Sequence, residues 1–327
     1  MAGIPGNSWH ERAPPWQNRY TPLCCPAVPV AAARRLRYRR AGMTVALQPG
    51  VPSAASFELA PGQSLAEHQR LALRDLRGTI ALWRLCRTLS WLDIRLRYRG
   101  SMLGPLWLTL STGVMVGAMG FIYSTLFHMD LHEYLPFLAV SQVLWAFLAT
   151  LVADGCTAFT AAEATIRSVR MPFVLYAARI VLRNYIILGH NALVIVVVFA
   201  ALSAWPGATV LLALPGLLLW SIDALAIALL LGALCARFRD IPPIVASVMQ
   251  MTFFVTPVIW KPDQLGSKQW LLPFNPFFTL LQIVRAPLLG EIPSLSTVVS
   301  ALVSSVVLCS ISWLLFARAR GRIAFWV

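Results

Sequence analysis

An all-helical integral membrane protein is the architecture that these 327 residues specify, and three observations carry that reading. Hydrophobic side chains make up 58% of the chain and charged ones only 12%, whereas water-soluble chains run about 45–50% apolar with roughly 25% charged. Half the usual charge cannot coat a globule in water. Second, the apolar residues fall in blocks of about 20, the helix length that crosses a hydrocarbon core of about 30 Å. Third, 27 Lys and Arg against 13 Asp and Glu leave a formal net charge of +14. Fifteen of the basic residues precede residue 104, ahead of the first long apolar block. Such an excess reads as a topology signal, and with no soluble fold to present a basic face, a nucleic-acid partner is excluded.

Residues 1–75 are rich in Pro, Arg and Ala, and Pro14, Pro15, Pro22, Pro26, Pro29, Pro49, Pro52 and Pro61 interrupt any helical period, so the segment is expected to be disordered. The run Leu23 to Ala33 imitates a signal-peptide core, but it contains Pro26 and Pro29 and is followed by Arg34, Arg35, Arg37, Arg39 and Arg40. Met43 offers a second start. Within 76–103 the period becomes helical: Leu82, Leu85, Cys86, Leu89, Leu92 and Leu96 recur at three- and four-residue steps, with Arg84, Arg87, Trp91 and Arg95 opposite. This pattern predicts a basic amphipathic helix over 80–98, lying along the cytoplasmic interface. Asp93 interrupts its apolar stripe, and Arg97, four residues on, is expected to neutralise it.

From residue 104 onwards six spans are predicted, at 105–127, 134–156, 182–204, 209–235, 242–260 and 296–317. Placing the N-terminus inside puts Arg167, Arg170, Arg179, Arg183, Arg237, Arg239, Arg318, Arg320 and Arg322 on the same side as the basic leader, and only Lys261, Lys268 and Arg285 outside. Both termini are therefore expected in the cytoplasm. The outer segment 261–295 is apolar but broken by Pro262, Pro273, Pro276 and Pro287, which predicts re-entrant helices too short to cross.

No GxxxxGK[ST] phosphate loop, HExxH or GxSxG occurs, so the chain has no Walker motif of its own and no recognisable catalytic site. Cys24, Cys25, Cys86, Cys156, Cys235 and Cys309 show neither a CxxC pair nor ligand spacing, which points to packing residues and no metal site. Asp223 in mid-span and His190 in the third span form a candidate intramembrane polar site, with Asp154 near an inner end. Thr160-Ala-Ala-Glu163 fits a capping box opening a short cytoplasmic helix that carries Arg167 and Arg170 and ends at Pro172. Gly113-Val-Met-Val-Gly117, with Gly120 a turn further on, provides a small-residue face for helix packing. Trp107, Trp145, Trp205, Trp260, Trp270 and Trp313 lie near predicted span ends, as an interfacial belt would.

The run Arg95-Leu-Arg97-Tyr98-Arg99-Gly-Ser101-Met-Leu-Gly104-Pro105-Leu-Trp107 resembles the basic-aromatic approach to the first span in permease subunits of type-2 ABC transporters, above all exporters of O-antigen, capsular and teichoic polysaccharides. Further matches follow in order: Arg237-Phe-Arg239-Asp240, Thr256-Pro257-Val258-Ile259-Trp260, Asn275-Pro276 with Arg285, and Arg320-Gly-Arg322-Ile323. The resemblance covers about residues 76–327 and implies a homodimeric permease of the bacterial inner membrane, with a path for a lipid-linked glycan. It implies no cofactor in this chain, ATP and Mg being bound by a partner ABC ATPase. Residues 161–171, with Glu163, Arg167, Arg170 and Pro172, would then be the coupling helix, and Arg95, Arg97, Tyr98, Arg99, Ser101 and Gly104 the interface helix and its passage into the first span. Asn275, Pro276 and Arg285 would belong to an outer gate. Thr256 stands where many relatives have Ser, a departure that keeps the hydroxyl.

The same resemblance leaves a small-molecule or lipid efflux permease as the alternative. A secondary transporter would need paired repeats or several intramembrane charges, which are not seen. A membrane-embedded transferase has only the cluster His128, Asp130, His132 and Glu133 to draw on.

Overall fold

The computed structural model describes residues 64–104 and 106–327; the disorder expected of residues 1–63, the second start at Met43 and the Cys24–Cys25 pair fall outside them. Among the described residues there are helices and no strands. The first corrects the sequence reading: α1 (Leu65–Ala81) begins inside the segment expected to be disordered. Ser64 caps it by accepting from the Glu67 N–H, and beyond Pro61 no proline interrupts the run. The amphipathic helix expected over 80–98 is in fact the end of α1 and a second helix, α2 (Trp83–Arg97), joined at Leu82.

Among the described residues, five helices are long and apolar enough to cross a membrane: α3 (Leu106–Leu126), α4 (Leu131–Cys156), α6 (Phe173–Leu202), α7 (Ala213–Arg237) with the short 3-10 turn before it, and α10 (Leu295–Trp326). Between α4 and α6 lies α5 (Glu163–Ser168). The predicted span 242–260 is shorter than expected: α8 (Ile241–Val255) has 15 residues, about 22 Å at 1.5 Å per residue. It stops where Thr256 turns to extended backbone ahead of Pro257. A 3-10 segment, Pro262–Phe274, kinked at Gly266, and α9 (Pro276–Leu288, 13 residues) complete the chain, both too short to cross.

The centre of the bundle is α4: 78% of its most apolar window is buried, against 17% for α3 and for α10. It packs on α3, α6, α7, α8 and α9, which is why its residues are apolar all round rather than along one stripe. Phe147 of α4 stacks on Trp220 of α7 with ring centroids 5.4 Å apart, and the Trp220 indole N–H donates to the Leu280 carbonyl at 2.8 Å. Gly155 and Gly232 set the approach of α4 to α7. A methyl group at Gly155 would meet the Ala228 Cα at 3.3 Å, and one at Gly232 would strike Ala158 and the Phe159 ring at about 3 Å.

In α3, Gly120 lies against Leu135 of α4, Gly113 faces Val194 of α6 at van der Waals distance, and Gly117 opens onto empty space. The small-residue face is thus used twice within the chain. Trp145, expected in an interfacial belt, is instead a core residue, 5% exposed and packed on Phe253 and Phe277. Trp107, Trp205 and Trp270 are exposed.

Candidate functional site

Two polar constellations stand at opposite ends of the bundle. At the basic end, α1, α2, α5, the start of α6 and the end of α10 converge. The Arg179 guanidinium of α6 grips the Asp93 carboxylate of α2 through both oxygens, its Nε donating at 2.6 Å. Arg183, one turn on, lies 3.9 Å from Asp93 and 2.8 Å from Asp154 of α4. Asp154 also accepts from the Asn184 amide at 2.9 Å and faces Arg97 at 3.9 Å. Asp93 is therefore not neutralised by Arg97, as its spacing predicts. The chain folds so that α2 presents Cys86, Ser90 and Ile94 to α6, which turns Asp93 toward α6 and leaves Arg97 to reach α4. The leucines of the predicted stripe, Leu82, Leu85, Leu92 and Leu96, are exposed, as is Trp91.

Ser90 fastens that contact by donating to the Arg179 carbonyl at 3.0 Å. Burial pushes the Cys86 thiol above its usual pKa, against smaller opposing effects from Ser90 and the Arg179 charge. Beyond α2, Gly100 and Gly104 adopt positive φ (85° and 56°), and Ser101 Oγ accepts from the Gly104 N–H at 3.1 Å. These three residues turn the chain from the surface helix into α3. Tyr98 closes α2, its N–H donating to the Ile94 carbonyl, while Arg95 and Arg99 are exposed.

The short helix α5 sits on this end. Glu163 and Arg167 pair at 2.9 Å across one turn, and Arg167 also donates to the main-chain oxygen of Val327. The predicted capping box does not form. A 3-10 turn, Thr160–Ala162, precedes α5, neither start has a side-chain cap, and the Glu163 carboxylate is taken by Arg167. Arg170 lies beyond the helix end, and Pro172 is the N-cap of α6. Pro172 packs 3.1 Å from where a side chain on Gly78 of α1 would begin, and Phe173 N–H donates to Asp75 at 3.4 Å. Asp75 in turn holds Arg320 of α10 at 2.6 and 2.7 Å. So α1 ties the segment after α5 to the last helix. Sequence reasoning missed Asp75, and with it the partner of Arg320, because the proline-rich leader masked the start of α1.

At the opposite end, Asn275, Pro276 and Arg285 come together with Thr256 and Pro257. Asn275 caps α9 by accepting from the Phe277 and Phe278 N–H groups at 3.0 and 3.3 Å, and its amide donates to Thr256 Oγ1 at 3.0 Å. Pro276 occupies the first helical position, where no N–H is needed. Arg285 is 1% exposed. Its guanidinium donates to the Pro257 carbonyl at 2.5 Å, to Ser141 Oγ at 3.1 Å and to Gln282 Oε1, and it lies 4.7 Å from the Phe137 ring centroid. Among the described residues no carboxylate pairs with it directly, so three neutral acceptors and a ring face replace the hydration shell. Tyr134 adds a bond to the Ile259 carbonyl at 2.6 Å.

The other candidates are less connected. Asp223 is buried and accepts from Ser305 Oγ at 2.7 Å, with the Cys309 thiol at 3.8 Å; both partners come from α10. His190 Nδ1 lies 2.7 Å from the carbonyl of Ile186 in its own helix. The two residues share no hydrogen-bond partner. In the cluster at 128–133, Asp130 caps α4 by accepting from His132 N–H at 3.0 Å, and Glu133 lies 3.6 Å from Lys261. No grouping of His, Cys, Asp and Glu among the described residues has metal-site geometry.

Comparison with known proteins fits this geometry. The family described as "ABC-2 type transporter" matches residues 84–289, from α2 to the end of α9. An O-antigen export system permease protein, RfbA, of Myxococcus xanthus is 24% identical over 197 residues, which is 59% of this chain and 76% of the relative. Two permeases of the same name from Klebsiella pneumoniae are 23% identical over 195 residues and 21% identical over 238 residues, the second alignment covering 71% of this chain and 90% of the relative.

Proposed function

The chain belongs to the ABC-2 type transporter family, and on that ground we propose that it is the permease subunit of an ATP-driven exporter of lipid-linked polysaccharide in the bacterial inner membrane. The carrying observation is its similarity to O-antigen export permeases over up to 90% of their length. ATP and Mg are bound by a separate ABC ATPase, which fits a chain with no phosphate loop. The basic end faces the cytoplasm, with both chain ends on that side, because it carries nearly all the exposed arginines.

In this reading α5 is the coupling helix. Glu163, Arg167 and Arg170 present its polar face to the ATPase, and Pro172 fixes the angle at which α6 departs. Displacement of α5 passes to α10 through Arg167 and Val327, and to α1 and α2 through the Asp75–Arg320 and Asp93–Arg179 pairs. The residues Arg95, Arg97, Tyr98, Arg99, Ser101 and Gly104 form the flexible passage by which the interface helix moves against α3. At the outer end, α8 crosses as a sixth, shortened span. The Pro262–Phe274 segment and α9 dip into the outer leaflet as a gate braced by Asn275 and Arg285.

A second copy supplies the other wall of the path. Met251, Phe254 and Val255 of α8, and the open side of Gly117 on α3, offer apolar surface for it. The test is export itself. Cells lacking this chain should accumulate labelled lipid-linked glycan in the inner leaflet, and the restored chain should return it to the surface only with its ATPase present. Glycan reaching the surface equally without the chain would overturn the proposal.

A further inference from the structure

At the basic end three arginines meet with no acid paired to them among the described residues. Arg237 closes α7, and Arg318 and Arg322 lie one turn apart on α10. Together with Leu314, Phe238 and Trp326 they line a pocket of about 420 Å³. The Arg237 guanidinium is held over the Phe238 and Trp326 rings at 5.7 and 5.8 Å, and no ion pair forms to any of the three among the described residues. Like charges so gathered repel one another unless an anion joins them.

The pocket is amphiphilic. Ile311, on its far side from Arg322 along α10, also lines a groove of about 490 Å³ between α7, α8 and α10. That groove is walled by Ile227, Leu231, Ile244, Val248 and Leu308, and reaches Asp223. From Arg237 back to Asp223 along α7 is about 21 Å at 1.5 Å per residue, more than the roughly 15 Å depth of one leaflet's hydrocarbon. A cationic mouth therefore opens onto an apolar slot as long as a lipid tail.

We propose that this pocket and groove bind an anionic phospholipid of the cytoplasmic leaflet, its phosphate among Arg237, Arg318 and Arg322 and one acyl chain along Ile311 into the α7–α10 groove. Guanidinium groups present paired donors that match phosphate oxygens, and basic pockets between spans at the headgroup level select acidic lipids. The arginine mouth lies outside the residues assigned to coupling or to the outer gate, and only the far end of the groove meets α9, at Pro276, Phe277 and Leu280, so the site stands whether or not the cargo is a polysaccharide.

Native mass spectrometry of the purified full chain, offered an equimolar mixture of phosphatidylglycerol and phosphatidylcholine, tests it. The wild type should retain phosphatidylglycerol about tenfold over phosphatidylcholine. R318Q/R322Q should abolish the preference, and I311W should weaken retention with every arginine in place. In a parallel melt of the wild type, phosphatidylglycerol should raise the Tm by several degrees and inorganic phosphate at equal concentration should not. Equal retention of the two lipids by the wild type, undiminished preference in R318Q/R322Q, or a phosphate shift matching that of the lipid would each overturn the proposal. The wild-type comparisons decide even if a variant fails to fold.

Discussion

The two ends of the bundle solve the same problem, holding arginine near hydrocarbon, by opposite means. At the basic end Arg179 and Arg183 are partly exposed and share two carboxylates across three helices. At the other end Arg285 is sealed in and satisfied by a carbonyl, a hydroxyl, an amide and a ring. Charge pairs tolerate displacement, since Coulomb attraction falls slowly with distance and water can fill in. Hydrogen bonds to neutral acceptors do not, because they fail within a few tenths of an ångström. One end is built to slide and the other to keep its shape or release all at once.

The largest effect should come from Arg285→Leu, which strands buried acceptors on three segments and costs about 3 kcal/mol or more. A thermal melt in detergent measures it, and a wild-type melting temperature would erase the contrast. Arg285→Lys should recover only part, because an ammonium cannot imitate the planar fork or lie flat on Phe137.

Asp93→Asn should cost less, about 1–2 kcal/mol, since Asp93 and Arg179 are 13% and 26% exposed and water screens them. Combining it with Arg179→Gln should give clearly less than the sum of the two. Strict additivity would show that α2 and α6 are not coupled through this pair.

Cys86 offers a gentler probe of the same contact. Its raised pKa leaves less thiolate at pH 8 than a free cysteine has, and raising the pH should speed labelling only when it passes above the ordinary thiol range. Peptide-resolved maleimide labelling should therefore be slow, and a few-fold faster in Asp93→Asn as α2 loosens. Equal rates in both proteins would mean that the pair does not hold α2 down.

The smallest stability effect belongs to Glu163 and Arg167, an exposed pair worth about 0.3–0.5 kcal/mol. E163Q/R167Q should melt with the wild type and yet, with the ATPase present, separate ATP hydrolysis from export. Unchanged export would remove α5 from the coupling role.

Much of the bundle was legible in the sequence because lipid imposes one rule, that an apolar stretch of about 20 residues becomes a helix. Spans 105–127, 134–156 and 209–235 fall close to α3, α4 and α7 for that reason. The constellation around Arg285 was legible as motifs, since Thr256-Pro257, Asn275-Pro276 and Arg285 stand out in the sequence and the fold joins them. The basic end was not, because ion pairs between distant helices leave no local period. Asp93 was visible only as a flaw in a stripe, and its partner lies 86 positions away. The capping box failed for the converse reason: its spacing is local, but Arg167 competes for Glu163 and wins.

The brevity of α8 bears on the bilayer itself. A rod of about 22 Å cannot match hydrocarbon of about 30 Å, and such mismatch draws headgroups and water inward beside the short element. With α8 crossing as proposed, the membrane would be pinched next to Thr256 and Asn275, so a hydrophilic chain threading past them would meet a thinned oily barrier.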